Sequence, residues 1–178
     1  MTGALRGRKV ILRPIEPGDA DTIVRWRNLP EVHAQMFAQA PPTKEDHMRW
    51  FDDLGKRGDR EEYVIVETGG GRPVGTVGLS RIDRVNRRAE YGILIGEADA
   101  RGKGLAREAS DLILDHAFGT LNLHRVYLHV FPENRKAILL YRLLGFEQEG
   151  ILRQHAWKDG EFRDVVVMGK TRGPEKTG

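Results

Sequence analysis

The chain has 178 residues, no cysteine and a net charge of +3. This length allows one domain with its own core, and the absence of cysteine excludes disulfides, cysteine-based zinc sites and a thiol nucleophile. Its 29 basic residues are dispersed, unlike those of a nucleic-acid binder, and no apolar run approaches the roughly 20 residues that span a bilayer. We therefore predict a cytoplasmic protein without nucleic-acid or membrane partners, with one domain over residues 8–170 and a flexible tail over 171–178.

The first half of the chain predicts a strand, two helices and three more strands. Residues 9–13 form a short β-prone run, and residues 19–28 carry an imperfect apolar stripe of helical period. Thr-Lys-Glu-Asp at 43–46 resembles a capping box, which would open a second helix. Two apolar runs around the glycines at 69–71 predict a hairpin, and residues 88–95 predict a further strand.

The second half alternates helices and strands. Residues 105–121 present one apolar face and predict an amphipathic helix, and residues 125–130 predict a strand. Apolar side chains from residue 137 onward follow a helical spacing that Gly145 ends, and Asp-Gly at 159–160 marks a hairpin between the last two strands. This order predicts an α/β fold with a mixed sheet and helices on both faces.

The most informative segment is the glycine loop at 101–106, Arg-Gly-Lys-Gly-Leu-Ala, which joins a strand to the amphipathic helix. Small residues let backbone N–H groups approach an anion, and the helix N-terminus adds partial positive charge, so the loop suits phosphate or pyrophosphate. A Walker loop is excluded because Lys103 is followed by Gly104 instead of Ser or Thr. A Rossmann fingerprint is excluded because Arg107 stands where its third glycine is needed. A turn that merely joins strand and helix is the alternative interpretation.

Two motifs resemble those of the GNAT N-acetyltransferases. Residues 101–106 match the Arg/Gln-x-x-Gly-x-Gly/Ala signature for acetyl-CoA, and residues 134–146 match the second signature of that superfamily at the expected spacing. The C-terminal half is similar to ribosomal-protein and spermidine acetyltransferases, whereas Trp-Arg-Asn at 26–28 and Glu-Asp-His at 45–47 are more similar to acetyltransferases of nucleotide-linked aminosugars. The resemblance implies a single-domain GNAT fold, with a mixed, mostly antiparallel seven-stranded sheet, a bulged and splayed central strand, and helices on both faces.

The resemblance also implies a site for acetyl-CoA as co-substrate, without a metal. Backbone groups of residues 93–95 would pair with the pantetheine amides, and backbone N–H groups of residues 101–106 would hold the pyrophosphate. Asn134 would bind the pantetheine arm, and the side chains of Arg101 and Lys136 would lie near phosphates. The predicted cofactor-binding residues are thus Ile93, Leu94, Ile95, Arg101, Gly102, Lys103, Gly104, Leu105, Ala106, Asn134 and Lys136.

By the same resemblance, Tyr141 is the predicted general acid for the departing CoA thiolate, because a phenol pKa of about 10 lies close to that of a thiol. Its place on an apolar helix face also fits an ordinary core residue. Glu90 is the predicted base, acting through water, with an ordinary strand-end carboxylate as the alternative and His129 and His47 as further candidates. Because there is no cysteine, we expect direct attack within a ternary complex.

The acceptor pocket is expected between the two N-terminal helices and the hairpin at 158–160. Only one acidic residue, Glu31, lies between residues 30 and 42, which argues against a polyamine because polyamine cations need clustered carboxylates. We therefore predict a small-molecule primary amine, aminosugar-like, as acceptor. A protein N-terminal acetyltransferase and a non-catalytic acetyl-CoA sensor are the alternatives, and the sequence leaves a homodimer open. The residues predicted to line the pocket are Trp26, His47, Trp50 and Trp157.

Overall fold

A computed structural model describes residues 3–173 of the protein. The strands are β1 (Leu5–Arg6), β2 (Val10–Pro14), β3 (Glu61–Glu67), β4 (Pro73–Asp83), β5 (Arg88–Ile95), β6 (Arg125–Val130), β7 (Glu147–Lys158) and β8 (Glu161–Thr171). The helices are α1 (Ala20–Arg27), α2 (Pro30–His33), α3 (Lys44–Arg57), α4 (Leu105–Asp115) and α5 (Arg135–Leu143).

All eight strands form one sheet in the order β1-β2-β3-β4-β5-β6-β8-β7. Neighbouring strands are antiparallel except β5 and β6, which are parallel. The predicted α/β fold with a mixed, mostly antiparallel sheet is therefore confirmed. The additional strand is β1, whose two residues are too few to carry a period-2 pattern in the sequence.

Helices cover both faces of the sheet and bury two separate cores. The larger core lies between the sheet and α4, where Leu105, Ala109 and Ile113 are buried on one side of the helix. The smaller core lies on the opposite face and is covered by α1 and α3, which contribute Ile23 and Leu54. The two faces of the sheet thus carry different elements, and this separation decides which side chains can meet.

The capping box predicted at the start of α3 is present. The Thr43 hydroxyl accepts the N–H of Asp46 at 3.1 Å, and the Asp46 carboxylate accepts the N–H of Thr43 at 3.0 Å. Such a cap contributes about 1 kcal/mol to the free energy of unfolding. The short helix α2 was not predicted, because one helical turn shows no periodic pattern.

The helix predicted over 105–121 divides into two parts. Its α-helical part is α4, and a wider π-helical turn follows over His116–Thr120. This turn carries the buried His116, whose Nε2 lies 2.8 Å from a carboxylate oxygen of Glu61 on β3. The change of helix type thus coincides with a buried polar contact to the sheet, which apolar periodicity does not reveal.

A gap opens in the middle of the sheet between β5 and β6. The two strands pair only from Arg88 to Glu90 of β5, whereas β5 stays paired with β4 as far as Ile95. The pairing of β4 with β5 shifts register between Ser80 and Asp83, close to Glu90. The predicted splay is therefore confirmed, and it starts directly after Glu90.

The domain extends beyond both predicted boundaries, residues 8 and 170. β1 begins at Leu5, and β8 continues to Thr171. The backbone N–H of Arg172 donates to the carbonyl of His124 at 2.8 Å, so residues 171 and 172 belong to the folded domain. Residues 174–178 of the predicted tail lie outside the described residues.

No helix within the described chain is long and apolar enough to cross a membrane.

Candidate active site

The glycine loop before α4 presents free backbone N–H groups from Gly102 onward, whereas the N–H of Arg101 donates to the carbonyl of Ala98 at 3.2 Å and is not available as predicted. Gly102 and Gly104 have φ angles of 76° and 80°, in the left-handed region that residues with a side chain rarely adopt. Gly104 occupies the N-cap position of α4, and no side chain caps the helix there. A Cβ at Gly102 would meet no atom within 4 Å, so the loop faces open space. Such a loop is suited to an anion, and its binding of the pyrophosphate stays a prediction.

The side chains at 101 and 103 are placed differently from each other. Arg101 donates to the carbonyl of Ile95 at 3.3 Å and lies 3.5 Å from the Glu31 carboxylate, so protein contacts hold this guanidinium at the end of β5. At position 103 the carbonyl, rather than the side chain, has a described partner: it accepts from Nζ of Lys9 at 3.1 Å. Lys9 thus adds a positive charge beside the loop, which the sequence did not indicate.

The far edge of β5 faces the gap. Ile93, Leu94 and Ile95 pair with β4 on one side, and on the other side no described strand pairs with them. Such an edge can accept an extended ligand as an added strand, which fits the predicted contacts to pantetheine amides. Leu105 and Ala106 lie in the first turn of α4, where the Leu105 side chain is buried in the larger core.

Asn134 and Lys136 lie on the other side of the gap, after β6. The side-chain oxygen of Asn134 caps α5 by accepting the N–H of Ala137 at 3.3 Å. Its amide nitrogen bonds to none of the residues described, so it can still donate to a ligand. Lys136 is exposed in the first turn of α5. The predicted cofactor residues therefore border one gap from both sides.

Tyr141 is packed in the larger core, yet its hydroxyl has no hydrogen-bond partner among the side chains and backbone groups that the structure describes. Its ring contacts Tyr91 edge-on at 6.0 Å. The Tyr91 hydroxyl, in contrast, is hydrogen-bonded to Oγ of Ser110 at 2.6 Å. Burial raises the pKa of Tyr141 to about 12, so the phenol stays protonated at neutral pH, as a general acid requires.

Glu90 and His129, two of the three base candidates, form a pair. The Glu90 carboxylate lies 2.7 Å from Nδ1 of His129, and Arg81 approaches its other oxygen at 3.4 Å. The hydrogen bond from His129 is the largest cause that lowers the pKa of Glu90, so the carboxylate is ionised and holds the proton on Nδ1. Nε2 of His129 can then accept a proton. Because adjacent strand residues point to opposite faces, the pair lies on the face opposite Tyr91.

His47, the third base candidate, is a packing residue. It is 3% exposed, its ring contacts Trp50 at 5.1 Å, and its two ring nitrogens have no partner in the described part of the chain. Burial and the neighbouring Arg27 lower its pKa, so the ring is neutral. The prediction of His47 as a base is not supported by this environment.

The tryptophans predicted to line the acceptor pocket occupy three different environments. Trp26 is fully buried, donates Nε1–H to Glu97 at 2.7 Å, and fills the space that a side chain at residue 96 would need. The prediction is therefore wrong for Trp26. Trp50 is half-buried with the Arg60 guanidinium 5.9 Å from its ring centroid, and Trp157 is 48% exposed.

The β7–β8 hairpin is tied to the segment after α2, as the predicted pocket requires. Lys158 is fully buried, donates to the carbonyl of Ala38 at 2.7 Å, and lies 3.3 Å from Nδ1 of His33. The carbonyl of Trp157 also accepts from the Gln39 side chain. Lys158 therefore fixes the segment after α2 against the β7–β8 hairpin, a role that a lysine next to a turn does not suggest in sequence.

Known proteins resemble this chain over most of its length. The family model described as Acetyltransferase (GNAT) domain matches residues 9–147. Spermidine N(1)-acetyltransferase of Escherichia coli (strain K12) is 42% identical over 165 residues, covering 89% of this chain and 84% of that protein. An uncharacterized N-acetyltransferase of Bacillus licheniformis is 34% identical over 164 residues, covering 90% of this chain and 91% of that protein.

Solved structures agree with these sequence matches. Spermidine N-acetyltransferase from Vibrio cholerae in complex with CoA and spermine has a TM-score of 0.85 and 30% identity, covering 92% of this chain and 95% of that chain. The family resemblance, the donor and the enzyme class inferred from the sequence are confirmed. The chain belongs to the GNAT acetyltransferase family and is an acetyl-CoA-dependent N-acetyltransferase.

Proposed function

We propose that the protein acetylates a primary amine of a small molecule, and that this acceptor is an aminosugar-like monoamine. The observation that carries the proposal is the gap between β5 and β6. The glycine loop borders the gap, Tyr141 lies on one face of the sheet beside it, and the Glu90–His129 pair lies on the other. Donor and acceptor can therefore approach the gap from different sides.

The two proton transfers of the reaction take place on different faces of the sheet. The Glu90–His129 pair takes a proton from the acceptor ammonium, and the neutral amine attacks the thioester carbonyl directly. The C–N bond forms, the C–S bond breaks, and Tyr141 gives its proton to the departing thiolate. Free backbone N–H groups on β5 stabilise the oxyanion that develops. Acetyl-CoA supplies the acyl group, and the predicted cofactor-binding residues hold the acetyl-CoA.

The acceptor face is the face of the sheet that carries the Glu90–His129 pair, and its charges favour a monoamine over a polyamine. Glu90 lies 3.4 Å from Arg81, and Glu62, on the same face of the sheet, lies 3.6 Å from Arg60. Glu31, the only acidic residue between 30 and 42, is paired with Arg101. Glu90 and Glu31 are thus already compensated, which leaves Glu62 for a single ammonium and none of these three carboxylates for a second one.

A polyamine is the second candidate acceptor. It is supported by the relatives named as spermidine acetyltransferases, of which one is 42% identical to this chain. The match to that relative covers 89% of this chain, so the similarity includes the N-terminal half as well as the residues predicted to bind acetyl-CoA. The charges around Glu90 and Glu31 are the observation that favours a monoamine instead.

Turnover with a panel of amines tests the proposed function. We expect CoA release with aminosugars such as D-glucosamine or a 4-aminosugar nucleotide, and kcat/KM for spermidine at least about tenfold lower, because each missing counter-charge costs binding. N-terminal peptides and free amino acids complete the panel. A preference for spermidine or for peptides would contradict the aminosugar proposal, and acetyl-CoA binding without any turnover would favour the sensor alternative.

We also propose that copies of the chain associate through α5 and β7. Leu139, Leu143 and Ile151 are each more than half exposed there, beside a cleft of about 480 Å³, and β7 is the edge strand of the sheet. A structure described as dodecameric exists for the Vibrio cholerae relative, at 30% identity and a TM-score of 0.78. A cytoplasmic location stays a prediction from the sequence.

The mass in solution tests this association. We expect light scattering to give a multiple of 20.1 kDa, and Leu139→Glu to shift it toward one chain, because a charge on an apolar contact is costly to bury. Val85→Glu is the matched control, since Val85 is 91% exposed in the turn between β4 and β5. A wild-type protein that is monomeric at all concentrations would contradict the proposal.

A further inference from the structure

Glu62 lies on the acceptor face of the sheet, opposite two glycines. Cross-strand partners share a face, and Glu62 pairs with Gly78, which in turn pairs with Gly92. The Glu62 carboxylate leans over Gly78 into the space that a side chain there would fill. A side chain at position 78 would therefore clash with the Glu62 carboxylate, which extends across Gly78 toward β5.

The space above Gly92 is open. Gly92 is exposed, and a Cβ there would meet no atom within 4 Å. Glu90, two residues earlier on the same strand, points to the same face. The Glu62 carboxylate above Gly78 lies about one strand spacing, roughly 4.8 Å, from this space. Glu62 and Glu90 thus border one open position on the acceptor side of the gap.

The Glu62 carboxylate is incompletely satisfied. Its side chain is 19% exposed, Arg60 approaches it at 3.6 Å, and it accepts a hydrogen bond from none of the described residues. Arg27 on α1 also faces it, and Arg60 in turn lies over Trp50 of α3. A carboxylate with unused lone pairs beside an open position is suited to an ammonium donor.

From this placement we propose that Glu62 binds the ammonium group of the acceptor above Gly92, while the Glu90–His129 pair removes its proton. The inference rests on the proposed function and adds the residue that selects a cationic amine. Glu62 is an acceptor-binding residue and takes no part in proton transfer. Its removal should therefore weaken acceptor binding more than it slows the chemical step.

The proposal includes a pH dependence. Burial raises the pKa of Glu62 to about 7, although Arg60 and Arg27 act in the opposite direction. Only the ionised carboxylate attracts an ammonium, so acceptor affinity should fall as the pH drops below about 7. The other charged groups on this face are Glu90 with Arg81 and His129, and His47 is neutral.

Calorimetry with D-glucosamine as the probe, in the presence of CoA so that no transfer occurs, tests the role without turnover. Glu62→Gln should weaken D-glucosamine binding about tenfold or more and leave CoA binding unchanged. The affinity of this variant for D-glucosamine should no longer fall as the pH drops below about 7. Binding of N-acetyl-D-glucosamine, which has no ammonium, should be the same in wild type and variant. Glu67→Gln on the same strand, which loses only an ion pair with Arg72, is the matched control.

Equal affinity of wild type and Glu62→Gln for D-glucosamine would overturn the role of Glu62. An equal loss of affinity for D-glucosamine and for its N-acetyl form in the variant would overturn it too. So would a wild type that binds the amine no better than the N-acetyl form. The binding measurement is separate from the turnover panel. Amine binding that depends on Glu62 without turnover would contradict only the proposed activity.

Discussion

Replacement of Tyr141 by phenylalanine is expected to lower kcat by about 10²-fold or more, while the fold and the affinity for acetyl-CoA are kept. The hydroxyl bonds to no described neighbour, so its loss should cost the folded state little. A pKa of about 12 keeps the phenol protonated and available to the departing thiolate. Single-turnover kinetics with an excess of acceptor measure the chemical step directly.

Tyr91→Phe is the matched control for that variant. Both tyrosines belong to one aromatic cluster, but the Tyr91 hydroxyl is bonded to Ser110 inside the core. This control should lose about 1 kcal/mol of unfolding free energy and keep its kcat. The defect of Tyr141→Phe should also shrink with an acyl donor whose thiol is more acidic, because that thiolate needs less protonation. A wild-type single-turnover rate in Tyr141→Phe would remove this residue from the mechanism.

Gly104→Val is expected to weaken acetyl-CoA binding by at least about tenfold. Gly104 has φ of 80° at the N-cap of α4, and a β-branched residue is strained there by about 1–2 kcal/mol. Relief of that strain would turn the loop N–H groups away from the pyrophosphate, and the new side chain would also approach Nζ of Lys9. Calorimetric titration with acetyl-CoA, together with thermal unfolding, measures both effects.

The control for Gly104→Val is Gly58→Val. Gly58 has φ of 63° at the end of α3, with no atom within 4 Å of a Cβ there, so it carries the same kind of strain away from the loop. Both variants should lose similar thermal stability, but only Gly104→Val should lose acetyl-CoA affinity. If Gly104→Val unfolds the protein, or binds acetyl-CoA as wild type does, the glycine is a structural turn.

The sequence by itself determined the local elements of this protein. The capping box of α3, the left-handed Asp159 and Gly160 in the β7–β8 turn, and the glycine loop before α4 were each predicted from a few adjacent residues. Backbone sterics and hydrogen bonds within a single turn fix such features, so they need no partner from elsewhere in the chain.

Only the tertiary structure decided which distant groups meet. Glu90 and His129 are 39 residues apart and pair because β5 and β6 are parallel neighbours up to the start of the splay. Lys158 reaches a carbonyl 120 residues away, and Trp26, a predicted pocket residue, fills the core beside residue 96. Periodicity tells which face of an element is apolar. The strand order and the point where two strands separate decide what that face touches, and both depend on packing across the whole sheet.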